Sequence, residues 1–196
     1  MIDNNDKEEM NRNLLSGRIE ANLFRSRFIF IIGEIEVRLA KLVVGQLVAL
    51  SHESSHDPIY ILLSSPGGHV ESGDLIHDMI KFIDSPVYMI GSGWVASAGT
   101  HIFLSVPKER RFCLENTRFL IHEPSGGIGG CATDIQIQAR EILKMRDRLA
   151  KIISRETGQS FEKVRLDIDR DHWMSAQDAI EYGLLSRVIR HISDIR

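Results

Sequence analysis

The feature that most limits what this chain can fold into is a repeated alternation. Short apolar runs stopped by glycine or proline are separated by stretches whose apolar residues recur at helical spacing. Phe28-Ile29-Phe30-Ile31-Ile32 stops at Gly33, Ile59-Tyr60-Ile61-Leu62-Leu63 at Ser65-Pro66-Gly67-Gly68, and Val87-Tyr88-Met89-Ile90 at Gly91-Ser92-Gly93. Between them lie Leu39, Leu42, Val43, Leu47 and Leu50, and then Val70, Leu75, Ile76, Met79, Ile80 and Ile83. Continuous apolar runs suit strands buried on both faces, and strands joined through helices pair in parallel. The expectation is an α/β fold with a mostly parallel sheet.

The rest of the chain continues the pattern. Phe112–Leu114 and Arg118–Ile121 read as two short strands, and a glycine-rich stretch, Gly126-Gly127-Ile128-Gly129-Gly130, follows them. Thr133 to Thr157 is the longest helical pattern, stopped by Gly158. Ser160 caps a helix to Arg170, Ser175 with Asp178 caps another to Gly183, and Ser186–Ile189 is a last strand. Residues 1–26 are mostly polar and read as an arm or loop outside the core. In the long helix Ile135, Ile137, Ala139, Ile142, Leu143, Met145, Leu149, Ile152 and Ile153 cover more than one face. It is either a central core helix or a projection whose second face packs on another subunit.

Composition narrows the partners. The 196 residues carry a net charge of −3, with no basic excess for nucleic acid or anionic lipid. No apolar run approaches the ~20 residues of a bilayer span, and the acidic, polar start is unlike a secretory leader. Two cysteines, Cys113 and Cys131, are too few for a disulfide framework and fit a reducing compartment. The expected location is the cytoplasm.

Two loops carry the chemistry. Gly91-Ser92-Gly93-Trp94-Val95-Ala96-Ser97-Ala98-Gly99 reads as a small-residue turn that puts Ser97 at a helix N-terminus, where N–H groups favour negative charge. It is not a Gly-x-Ser-x-Gly elbow, because position 95 is Val, and a plain helix cap is the alternative. Ser65-Pro66-Gly67-Gly68 is a second turn at the same end of a neighbouring strand, able to aim N–H groups at an oxyanion or simply to reverse the chain. Among eight histidines, His122 ends a strand before Glu123-Pro124. His52 and His56 read as solvated surface, and His69, His77, His101, His172 and His191 have no obvious partner. An orienting carboxylate would come from Asp167, Asp169 or Asp171, which spacing alone does not separate.

Taken in order, Ser65-Pro66-Gly67-Gly68, Ala96-Ser97-x-Gly99, Ile121-His122-x-Pro124, Gly126-Gly127, Ala132-Thr133-Asp134-Ile135, Arg140-Glu141-Ile142-Leu143, Thr157-Gly158-Gln159-Ser160 and Asp169-Arg170-Asp171 closely resemble the proteolytic subunit of the Clp proteases. The resemblance implies the fold shared with crotonases: repeated β-β-α units, a mostly parallel sheet and a projecting handle helix. It divides the chain into an axial arm, 1–26, and a peptidase domain, 27–196, with a head (27–121 and 159–196) and a handle (about 122–158). It implies a serine endopeptidase in which Ser97 is the nucleophile, His122 the base and acid, and Asp171 the orienting carboxylate. Backbone N–H groups of Gly68 and Ala98 would hold the oxyanion, with no metal or organic cofactor.

The same resemblance implies two stacked heptameric rings, a tetradecamer, with Asp169, Arg170 and Cys131 at the ring-to-ring contact and the glycine-rich segment as an equatorial strand. A hexameric Clp ATPase would deliver unfolded proteins, docking in a pocket of Tyr60, Leu62, Ile90, Ser92, Phe112, Leu114 and Ile189. Departures from the family pattern are Ala98 in place of Met, Trp94 and Val95 before the nucleophile, Gly129 and Cys131 in the equatorial segment, and the arm itself. These leave a second reading, a regulatory or weakly active paralogue working with a second subunit type. A third is a crotonase-type acyl-CoA enzyme, against which the Ser97, His122 and Asp171 set argues.

Overall fold

The computed structural model describes residues 17–127 and 129–195. A helix at residues 17–26 (α1) precedes β1 (Phe28–Ile32), α2 (Val37–Glu53), β2 (Ile59–Ser65), α3 (Val70–Phe82), β3 (Val87–Ala96) and α4 (Ala98–Phe103). After a 3-10 turn come β4 (Arg111–Cys113), β5 (Arg118–Ile121), α5 (Ala132–Thr157), α6 (Phe161–Asp167), β6 (His172–Ser175), α7 (Ala176–Tyr182), β7 (Arg187–Val188) and a final 3-10 turn, Ile192–Ile195. The parallel path runs β1-β2-β3-β4-β7, while β5 branches from β3 and carries β6 antiparallel at its side.

The branch follows from β3, which does not stop at Gly91. It runs ten residues, pairing first with β4 through Met89–Gly91 and then with β5 through Trp94–Ala96. Gly93 takes φ +63, and the register with β2 slips between Leu63 and Ser65, so the small residues bend the strand without ending it. A Cβ on Gly91 would lie 3.0 Å from the Val95 side chain, a clearance only glycine provides here. The turn expected at Gly91-Ser92-Gly93 is therefore a bent strand.

Further expectations change. The β1 run is an edge strand, since nothing pairs beyond it among the described residues, and it buries one face, with Phe30 and Ile32 facing out on the other. Residues 17–26 form a helix whose Phe24 packs on the core. The helix after Ser160 ends at Asp167, three residues short of Arg170, and the charged run beyond it turns into β6. Along α5 only Ala150 and Ile153 are buried, while residues 132–138 are all exposed, so the central-core reading gives way to the projecting one. At 1.5 Å per residue this helix is about 39 Å long.

The main core lies between the sheet and helices α2 to α7, with Ile29, Ile31, Leu63, Met89, Phe103 and Phe119 at its centre. The opposite face of the sheet carries a smaller cluster of Ile90, Phe112, Ile189 and Ile195 with Phe28, Tyr60, Leu62 and Tyr88. Ring stacking runs across four strands there, Phe28 on Tyr60, Tyr60 on Tyr88 and Tyr88 on Phe112, at 5.1, 5.5 and 6.3 Å between centroids.

Candidate active site

The site gathers where β3, β2 and β5 end. Ser97 leaves β3 and opens α4 with φ +56, a conformation that costs a non-glycine residue on the order of 1–3 kcal/mol unless its surroundings enforce it. They do. Ser97 N–H donates to Leu120 C=O at 3.0 Å, and the Thr100 hydroxyl reaches the Leu120 and Val95 carbonyls, each at 2.8 Å. Leu120 is two residues before His122, so one strand end anchors the serine turn and carries the imidazole.

The side chains meet as a relay. Ser97 Oγ lies 2.7 Å from His122 Nε2, and His122 Nδ1 lies 3.0 Å from Asp171 Oδ1. An ionised carboxylate only accepts, so Nδ1–H donates to Asp171 and Nε2 is left to accept the Ser97 proton. Of the three aspartates, Asp171 is the one that meets His122. Asp167 instead accepts from Tyr182 and Lys163, and Asp169 lies 4.0 Å from Arg146. Arg146 also meets Glu123 at 3.1 Å, and Glu123 N–H donates to Ile168 C=O, which ties the chain beside His122 to the end of α6.

The second loop presses directly on the serine. A Cβ on Gly67 would fall 2.6 Å from Ser97 Cβ, and one on Gly99 would lie 3.4 Å from Ser65. Gly68 forms a parallel bridge with Ile35 that uses Gly67 C=O and His69 N–H but not its own amide. Ala98 holds the first position of α4, where N–H groups have no intrahelical partner. Of the replacements before the serine, Val95 is fully buried beneath the turn while Trp94 is half-exposed on the outer face.

Other expected residues fall elsewhere. Arg170 and Cys131 are exposed; Cys131 precedes α5, its thiol donating to Asp134 at 3.0 Å, and no strand forms among the described residues between Ile121 and Ala132. Ile128 lies outside the described residues. Tyr60, Leu62, Ile90, Phe112 and Ile189 share the smaller apolar cluster, whereas Ser92 and Leu114 line an adjoining hollow of about 460 Å³ with Ile189 and Arg190. Sequence reading missed Phe28, Tyr88 and Ile195 in that cluster. It also left His77 and His101 unpartnered, although their rings stack at 4.3 Å; helical spacing from Ser97 was the available signal for His101.

The sequence model of the Clp protease family matches residues 11–192. The chain belongs to the Clp protease family. Clp protease proteolytic subunit 3 of Rhizobium etli is 56% identical, covering 97% of this chain and all of that protein. Proteolytic subunit 2 of Gluconobacter oxydans is 52% identical over 97% of this chain and 86% of its own length. A mutant ClpP1 from Listeria monocytogenes superposes with a TM-score of 0.85 at 45% identity, over 91% of this chain and 99% of that one. The chain is thus a Clp-type peptidase by family, with the α/β fold and mostly parallel sheet that the residues imply. Family membership stands against the acyl-CoA alternative. Among the described residues no helix is long and apolar enough to cross a membrane, and no group of three or more His, Cys, Asp and Glu is placed to hold a metal ion.

Proposed function

We propose that this Clp-family chain is a serine endopeptidase subunit in which Ser97, His122 and Asp171 act as one unit. The observation that carries this is the unbroken relay of 2.7 and 3.0 Å set beside a Gly-Gly turn at the head of a buried helix. His122 takes the Ser97 proton as Oγ attacks a peptide carbonyl, and Asp171 stabilises the imidazolium. Gly68 and Ala98 N–H groups, one beside the Ile35 bridge and one in the first turn of α4, hold the developing oxyanion. His122 then protonates the leaving amine, and water releases the acyl group by the reverse proton path. No cofactor enters these steps.

The working unit in this proposal is a tetradecamer of two heptameric rings in the cytoplasm, fed unfolded protein by a hexameric Clp ATPase docking on the aromatic face. Asp169, Arg170 and Cys131 lie at the ring-to-ring contact, next in sequence to Asp171, which is well exposed in the single chain. Residues 1–26 serve as the axial arm, and about 122–158 as the handle between head segments 27–121 and 159–196.

A fluorophosphonate is expected to modify Ser97, and Ser97→Ala to abolish both labelling and peptidase activity; retained activity in that variant would refute the proposal. The numbering of the relatives as subunits 2 and 3 favours a second reading, a mixed complex with another subunit type. Labelling that appears only after mixing with that subunit would select it.

A further inference from the structure

The Ser97 turn is held from a side that the relay does not use. Helix α4 has two polar side chains, Thr100 and His101. Thr100 ties it to β3 and β5, whereas His101 points into the packing between α3 and α5. His101 N–H closes the first turn onto Ser97 C=O at 3.2 Å. Its ring lies almost parallel to that of His77, 1° apart and 4.3 Å between centroids, and His77 Nδ1–H donates to His101 C=O at 2.9 Å. Both imidazoles are more than nine-tenths buried.

Asp74 on α3 joins these groups to α5. Its Oδ1 is 2.9 Å from His101 Nε2 and its Oδ2 is 2.6 Å from Arg148. Both His101 ring nitrogens are buried without a fully formed hydrogen bond, and the close approach of Asp74 is the polar contact given to Nε2. A buried imidazole left in that state is costly, and a purely structural position would favour an apolar side chain. Burial alone would raise the Asp74 carboxyl, but His101 and Arg148 outweigh it and hold it below its ordinary range. The charged and titratable groups around His101 are Asp74 and His77 on α3, with Asp78 and Lys81 beyond them, and Arg148 on α5.

We infer that Asp74 is a positioning residue for the nucleophile turn, clamping α4 through His101 to α3 and to the projecting helix α5. A helix of six residues does not hold itself, so the positive φ of Ser97 persists only while both sides of α4 are tied. Thr100 supplies the tie on one side; on the other the Asp74–His101 contact holds the ring while His77 holds the His101 carbonyl. Arg148, half-exposed on α5, makes the clamp responsive to where that helix lies. The inference rests on Ser97 being the nucleophile.

The test compares the full chain with Asp74→Asn, His101→Gln, their combination, Asp74→Glu, and Arg148→Gln as a surface variant that does not threaten folding. Peptide hydrolysis, fluorophosphonate labelling and amide exchange of residues 98–103 are read for each. Asp74→Asn is expected to lower kcat and the labelling rate at least fivefold with KM within twofold, and to speed exchange in α4. The double variant should lose no more than the worse single one, Arg148→Gln should lose a smaller factor in the same direction, and Asp74→Glu should recover part of the rate. An Asp74→Asn protein with wild-type labelling and exchange would overturn the inference, as would losses that multiply in the double variant. Exchange does not depend on chemistry. Absent labelling of the wild type would sink the peptidase proposal, while faster α4 exchange in Asp74→Asn would still support the clamp.

Discussion

At the scale of single residues, the site is a matter of clearances. Ser97 occupies a backbone region that it does not favour, and Gly67 leaves the space in which it does so. Gly67→Ala places a Cβ 2.6 Å from that of Ser97, at a residue whose φ is +103, so the serine must move. Displacements of about 1 Å at a reacting group cost roughly 10²-fold. The expected result is a fall in kcat of that order, with Gly45→Ala on α2, where a Cβ meets nothing within 4 Å, unchanged. Steady-state hydrolysis of a short peptide checks both. Asp171→Asn makes a different prediction. The side chain keeps its shape but can donate to Nδ1, which favours the tautomer that no longer accepts from Ser97. A drop in kcat of about 10³–10⁴-fold is expected without loss of the fold, read as kcat beside the circular dichroism spectrum.

At the scale of elements, the helix ends differ in what they will tolerate. Gly158 and Gly183 both close helices with positive φ, +78 and +98. Around Gly158 a Cβ finds open space, whereas at Gly183 it would run into the Thr157 backbone, where the ends of α7 and α5 pack together. Gly158→Ala should cost about 1 kcal/mol, the penalty of the left-handed conformation alone, and Gly183→Ala several times more, measured by denaturant melts. The α3–α4 contact adds a pH dependence. Burial, and then the neighbouring His101, pushes the His77 imidazole from its ordinary 6.5 down to about 4. The unfolded chain therefore binds the proton first. Stability is complete above pH 6.5 and falls as pH drops toward about 4, by on the order of 2–3 kcal/mol, and His77→Gln should flatten that part of the curve. These elements also mark where sequence was legible. Caps and apolar runs placed Ser160, Ser175, Gly158, β1 and β5 because each signal is local. The ten-residue β3 and the antiparallel β6 were hidden because Gly91-Ser92-Gly93 and Asp169-Arg170-Asp171 carry turn and solvent chemistry. Pairing with β2 and β4 and then with β5 carries β3 through its glycines, and pairing with β5 makes a strand of the residues after Asp171. That pairing also decides which aspartate reaches His122, so the relay was open to sequence as residue types and closed as geometry.

For the whole molecule, the question is what the exposed apolar residues are for. The aromatic face is partly closed by the chain itself, since Ile195 sits in the cluster while Asp194 accepts from the Arg190 and His191 N–H groups and fixes the final turn. Helix α5 has no such cover. Ile135, Ile137 and Leu143 are 42%, 50% and 55% exposed on a helix that touches its own core only near Ala150 and Ile153. Each residue of this size gains about 1.5–3 kcal/mol when fully buried, and these three point to more than one side of the helix, so the expectation is that copies of the chain pack around α5. The head should be indifferent to these side chains. Ile137→Lys combined with Leu143→Lys is therefore expected to leave the thermal transition of the separated subunit unchanged while lowering the native mass from the full assembly to smaller species. Ile153→Lys, which buries a charge in the head, should instead abolish folding. Native mass spectrometry and sizing distinguish the cases. A doubly substituted chain that still assembles to full size would show that these α5 side chains are not needed for assembly, and would leave the contact to Asp169, Arg170 and Cys131.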